Sequence, residues 1–144
     1  MRALLDVNVL VALLDAGHLH HRQATAWLAA HARQGWASCP LTQNGCLRIL
    51  SQPAYPNPQP VAQVAPRLAA AAADRSHAFW PDAVSLIEPG RLHWSHVLGP
   101  RQVTDVYLLA LAVHHHGCLV TLDRSVVLQA VAGAQKKHLV VLGA

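Results

Sequence analysis

The 144-residue chain carries only seven carboxylates: Asp6, Asp15, Asp74, Asp82, Glu88, Asp105 and Asp123. With so few acids, each position is informative. Two of them close short apolar runs: "RALLD" ends at Asp6 and "CLVTLD" ends at Asp123. A third, Asp105, stands near the start of the apolar stretch "VTDVYLLALAVHHHG". In parallel α/β sheets, sites lie outside the carboxyl ends of the strands. Asp6 and Asp123 are therefore expected on one edge, with Asp105 beside them if its helix runs antiparallel to the strands. Any one of these aspartates alone reads as a cap or turn residue. Three together repel one another, and a divalent cation is the natural resolution. An all-oxygen donor set favours Mg²⁺, or Mn²⁺ in its place, over zinc. Such a centre hydrolyses phosphodiesters by activating water and stabilising the leaving oxygen.

The elements that must position these acids alternate along the chain. Strands are expected at 2–6, 36–40, 77–81, 118–123 and 138–143. Helices are expected from Asn8 as N-cap, over 20–34 until Gly35, over 41–52, over 61–75 with Pro66 restricting its early part, and over 103–117 with Thr104 as cap. A short helix is expected at 94–99 and another at 124–133, and "PAYPNPQP" (53–60) reads as a turn. Alternation of this kind predicts an α/β fold with a mostly parallel sheet. The length fits one domain, 1–144.

Composition narrows the classes. Hydrophobic residues make up 53% and charged residues 12%, which excludes disorder. Three cysteines without a CxxC spacing argue against a disulfide framework or zinc site and for a reducing compartment. The N-terminal segment lacks the regions of a signal peptide, and no apolar run is long enough to span a membrane. A cytoplasmic protein without membrane contact is expected. The formal net charge of +4 suits an anionic partner such as RNA.

Taken together, "LLDVNVLVALLD", "LTQNGCLRILSQP", "FWPD", "QVTDVYLLALAV" and "LVTLDRS" resemble the PIN-domain ribonuclease toxins of the VapC type, in order and spacing, over nearly the whole chain. The resemblance implies a three-layer α/β fold, with a mostly parallel five-stranded sheet and helices on both faces. It implies Mg²⁺-dependent RNA cleavage, a small antitoxin partner and a homodimer. It assigns the metal-holding acids to Asp6, Asp105 and Asp123. It also marks a departure: where the family pattern commonly carries a glutamate, this chain has Gln43. Gln43 is the fourth candidate catalytic position. Its carbonyl oxygen can ligate a cation or hold water, but it brings no charge and accepts no proton as a base. Losing one carboxylate is expected to weaken cation affinity by about one to three powers of ten, at roughly 1.4 kcal/mol per tenfold.

Asn8, Thr104 and Thr121 are polar neighbours of the aspartates and read equally as orienting groups or caps. Consecutive helical residues diverge, so His114, His115 and His116 do not share one metal. The tryptophans read mostly as core, Asp82 as structural, and Asp15, Asp74 and Glu88 as surface or capping residues. One rival reading is a PIN-like module with weakened or lost catalysis that binds RNA or antitoxin; Gln43 is its support. A phosphotransfer domain of the haloacid-dehalogenase or receiver kind is a second. It suits strand-end aspartates but not Asp6-Val7-Asn8, where the former wants Asp-x-Asp.

Overall fold

The computed structural model describes residues 1–143. Five short strands form one sheet: β1 (Ala3–Leu5), β2 (Trp36–Ser38), β3 (His77–Phe79), β4 (Cys118–Thr121) and β5 (Leu139–Val141). Their order is β3-β2-β1-β4-β5 and every pairing between them is parallel. From β1 the chain adds β2 and β3 on one side, then returns to place β4 and β5 on the other. The order thus reverses between β1 and β4, where the connections leave a crevice.

Helices cover both faces, as the sequence predicts. Alternation along the strands divides the core in two. Ala3, Leu5, Cys118 and Val120 pack with α1 (Val7–Leu14), α2 (His21–Ala30), α3 (Pro40–Leu50) and α4 (Val61–Ala72). Leu4 and Leu119 point the other way, into α5 (Gln102–His114) and its buried row Val106–Ala112. Each fully buried Leu contributes roughly 1.5–3 kcal/mol. Strands buried on both faces therefore hold the sheet although each has only three or four residues.

Several boundaries differ from the sequence reading, each for a local reason. The N-cap of α1 is Asp6, not Asn8, because the Asn8 side chain is used across the sheet edge. Thr104 does not cap α5, which begins at Gln102. The helix expected at 124–133 is only a 3₁₀ turn, Leu128–Ala130. Its backbone instead joins the segment before it: Leu92 bridges Val131, His93 N–H donates to Ala130 O at 2.9 Å, and Ala132 N–H donates to Arg91 O at 3.0 Å. The short helix expected at 94–99 is a 3₁₀ turn, Trp94–His96, and Trp94 is exposed rather than core. Of the two readings of Asp15, surface or cap, the cap is the one that holds, and the residue is buried. It is the C-cap of α1, accepts from the Tyr55 hydroxyl, and so ties down the Pro-rich turn. Gly35 does end the helical segment, with φ of 77°.

One close approach fixes α3 against the start of α1. A Cβ at Gly45 would lie 2.6 Å from Val7 Cγ2 and 3.2 Å from Cγ1. This contact joins the residue after Asp6 to the turn of α3 that follows Gln43. Gly45→Ala should therefore destabilise the protein although Ala is the better helix former. Overpacking costs about 1–3 kcal/mol, and the propensity gain returns only about 1 kcal/mol. Thermal denaturation should show a lower Tm for Gly45→Ala, and partial recovery when Val7→Ala is added.

Candidate metal centre

The parallel sheet delivers Asp6 one residue past β1 and Asp123 two residues past β4, at the same edge. Asp6 has 4% of its surface exposed, the most buried carboxylate among the described residues. Both of its oxygens already accept a bond. Val7 N–H donates to Oδ1 at 2.7 Å, and Thr121 Oγ1 donates to Oδ2 at 2.7 Å. The first bond is a helix cap, and the position at the positive end of α1 favours an anion.

Thr121 is the hub of this edge. Besides donating to Asp6, its Oγ1 accepts from Asp123 N–H at 3.0 Å and from Asn8 Nδ2 at 3.3 Å. One proton and two lone pairs are thereby all used. Asn8 Oδ1 in turn accepts from Leu122 N–H at 3.1 Å. Asn8 and Thr121 thus orient the carboxylates. Thr104 makes no side-chain hydrogen bond among the described residues and is exposed.

Asp123 is aimed by a residue that sequence reasoning missed, Ser125. Its N–H and Oγ both reach Asp123 Oδ1, at 2.8 and 2.7 Å. The signal was in the sequence. The same tripeptide, Asp-Arg-Ser, occurs at 74–76, and Ser76 binds Asp74 Oδ1 in the same way at 2.9 and 2.7 Å. The turn is local Asx chemistry. At 74–76 it is exposed and isolated; at 123–125 it stands beside two other acids.

Among the described residues no three His, Cys, Asp or Glu side chains already enclose a single point as metal ligands. The three aspartates are nonetheless close enough to act on one another. Burial, then the charges of Asp6 and Asp123, push the Asp105 carboxyl up to about 7. Burial, opposed by its hydrogen bonds and reinforced by Asp123, raises Asp6. Asp123 is lowered, first by Ser125, and also by a hydrogen bond with Asp105. The raised Asp105 and the lowered Asp123 describe one coupled group, whose first proton on titration from high pH is taken up near neutrality. An all-carboxylate group that must keep a proton to relieve repulsion has the donor chemistry a hard divalent cation requires.

Gln43 comes to the same sheet edge from α3. Its Nε2 donates to Ser38 Oγ, at the end of β2, at 3.0 Å. Beside Asp105, the side chains of Leu41, Asp82, Val84, Val103, Thr104 and Tyr107 line a cavity of about 400 Å³. Asp82 belongs to this cavity; burial and then the Asp82 carboxylate push the Tyr107 phenol up to about 12. The histidine run is no part of the centre. His115 stacks on Trp80 with ring centroids 4.2 Å apart, while His114 and His116 are exposed.

A PIN-domain model matches residues 3–134. The chain belongs to the PIN-domain family. Within it the chain is 52% identical to ribonuclease VapC44 of Mycobacterium tuberculosis, over 99% of this chain and 100% of that one. It is 40% identical to ribonuclease VapC39 of the same organism, over 92% and 96%. Two solved structures share the fold. VapBC2 of Rickettsia felis, crystallised with a DNA fragment from its promoter, superposes with a TM-score of 0.59 at 11% identity, over 99% of both chains. PAE2754 of Pyrobaculum aerophilum superposes with a TM-score of 0.60 at 19% identity, over 96% and 83%. The sheet of this PIN domain therefore has its relatives' architecture, and its acids stand at the strand ends.

The raised Asp105 carries a stability consequence with a definite sign. Its pKa in the folded state lies above the 3.8 of the unfolded chain, so the folded state binds the proton more tightly. Stability then falls as pH rises from about 4 to about 7 and levels off above. In EDTA, Asp105→Asn should stabilise the protein at pH 8 by on the order of 1–2 kcal/mol, allowing for solvent screening of a half-buried group. The gain should shrink to less than half at pH 5 and be gone below pH 4. Urea titrations at the two pH values check this, and the absence of any gain at pH 8 would contradict the crowding.

Proposed function

We propose that this PIN domain, taken as one unit over 1–144, is a metal-dependent endoribonuclease and the toxin of a toxin–antitoxin pair. The observation that carries the reading is the trio Asp6, Asp105 and Asp123 at the carboxyl edge of the sheet, close enough that Asp6 and Asp123 both raise Asp105. The relatives' printed names, ribonuclease VapC44 and VapC39, support the reaction class.

The three aspartates would hold Mg²⁺, with Mn²⁺ as its substitute. A cation there supplies positive charge for the phosphodiester and activates water at neutral pH. The protein's part is placement. Asp6 is fixed by Val7 N–H and Thr121, and Asp123 by Ser125. Asp105 is the movable proton holder, because its carboxyl titrates near neutrality. Gln43 contributes a neutral amide where a charged side chain would add to the repulsion. Basic residues draw the RNA backbone to a chain of formal charge +4. The cavity beside Asp105 gives an adjoining part of the substrate room.

The partners in this reading are RNA, a cognate antitoxin and a second copy of the chain, in the cytoplasm. No helix among the described residues is long and apolar enough to cross a membrane. The neutral Gln43 favours one second reading, a PIN module that binds RNA or antitoxin and cleaves weakly or not at all.

Cleavage of a mixed RNA pool tests the first reading. The wild type should cut with Mg²⁺ or Mn²⁺ and stop in EDTA. Asp6→Asn and Asp105→Asn should each lose on the order of 10²–10³ in rate, the scale of removing one electrostatic stabiliser. Asp74→Asn, which alters the twin turn outside the centre, should cut normally. A wild type silent with both metals would move the binding module to first place.

A further inference from the structure

Gln43 is one end of a three-residue chain. Its Nε2 lies 3.0 Å from Ser38 Oγ, and Ser38 Oγ lies 2.8 Å from His77 Nε2. Ser38 has no exposed surface, so its hydroxyl cannot turn to water instead. A hydroxyl owns a single proton. Two directions of bonding give that proton a partner; if both neighbours donated, it would be left buried without one. In one, the ring carries its proton on Nδ1, Nε2 accepts from Ser38, and Ser38 accepts from the Gln43 amide N–H. In the other, a ring Nε2–H donates to Ser38, and Ser38 donates to the Gln43 carbonyl.

The surroundings of the ring choose between them. The His77 ring is held neutral by burial, tilted against Trp36 with centroids 4.4 Å apart. The Gln43 amide nitrogen, rather than its oxygen, is the atom set against Ser38 Oγ, so Ser38 accepts there and its own proton goes to His77 Nε2. With Nε2 accepting from Ser38, a neutral ring carries its one proton on the other nitrogen. The proton therefore sits on Nδ1, and the first direction holds.

We infer that Ser38 and His77 are positioning residues that turn position 43 into a hydrogen-bond donor site, selecting an amide there over a carboxylate. Gln43 Oε1, which has no partner among the described residues, is the atom this leaves for the centre. A glutamate has no proton to give Ser38. It would face the hydroxyl's lone pair, or force the ring proton from Nδ1 to Nε2. Gln43 is thus matched to His77 through Ser38, and restoring the acid alone does not restore the geometry. The inference rests on placing position 43 in the site, but its test uses no cleavage, so the two can fail separately.

Two-bond ¹⁵N–¹H correlation spectra of the imidazole nitrogens test it on the full chain in EDTA. The wild type should show His77 as the Nδ1–H tautomer, and Gln43→Glu should convert it to Nε2–H. An Nε2–H ring in the wild type overturns the inference. Thermal denaturation gives a second readout, independent of the spectra. Gln43→Glu should lower Tm, and by less than half as much in a His77→Gln background, because the new amide donates to Ser38 as readily as it accepts. Equal losses in the two backgrounds would also overturn it.

Discussion

Three like charges at one edge of a parallel sheet set the terms for everything around them. The edge cannot disperse them: β1 and β4 are neighbours, each ends in an acid, and α5 runs back to add a third. At an effective dielectric of about 20, two unit charges about 4 Å apart cost roughly 4 kcal/mol. That is a large share of the stability of a small domain. The protein answers with hydrogen bonds where it can and with a retained proton where it cannot. Asp6 accepts from a helix cap and from Thr121, and Asp123 accepts twice from Ser125. Asp105 has no such donors and keeps its proton to about neutral pH. In the proposed function, a cation would relieve what the proton only postpones.

The charge that position 43 lacks belongs to the same account. A carboxylate there would be a fourth negative group at a crowded edge. An amide avoids that repulsion, but it gives up part of the attraction for a divalent ion. Whether such an exchange works depends on where the amide's oxygen is held. Gln43 is anchored through its nitrogen to Ser38, so its oxygen is free by construction rather than by chance. Buried Ser38 and half-buried His77 behind it are the reason a neutral residue can be a settled occupant of this position.

Much of this arrangement was legible in the sequence, for a physical reason. Strand-end acids in a parallel sheet must share an edge, so Asp6 and Asp123 could be paired from "RALLD" and "CLVTLD" alone. Asp105 followed from the direction of its helix. The Ser125 turn was legible too, but only by noticing that Asp-Arg-Ser recurs at 74–76. What stayed hidden is tertiary. Asn8 looks like a cap, and nothing local says that it reaches 113 residues along the chain to Thr121. His77 and Gln43 meet only through Ser38, across β2 and β3. The helix wrongly expected at 124–133 fails because its backbone pairs with residues 91–93, a partner invisible to periodicity.

Calorimetric titration of the protein with Mn²⁺ at pH 7, in two buffers of different ionisation enthalpy, tests the central claim most directly. If one cation replaces the proton shared at this edge, saturable binding should release a substantial fraction of a proton per ion. The release should vanish at pH 9, where Asp105 is already ionised, and in Asp105→Asn at either pH. Binding without proton release at pH 7, or no saturable binding at all, would contradict the account.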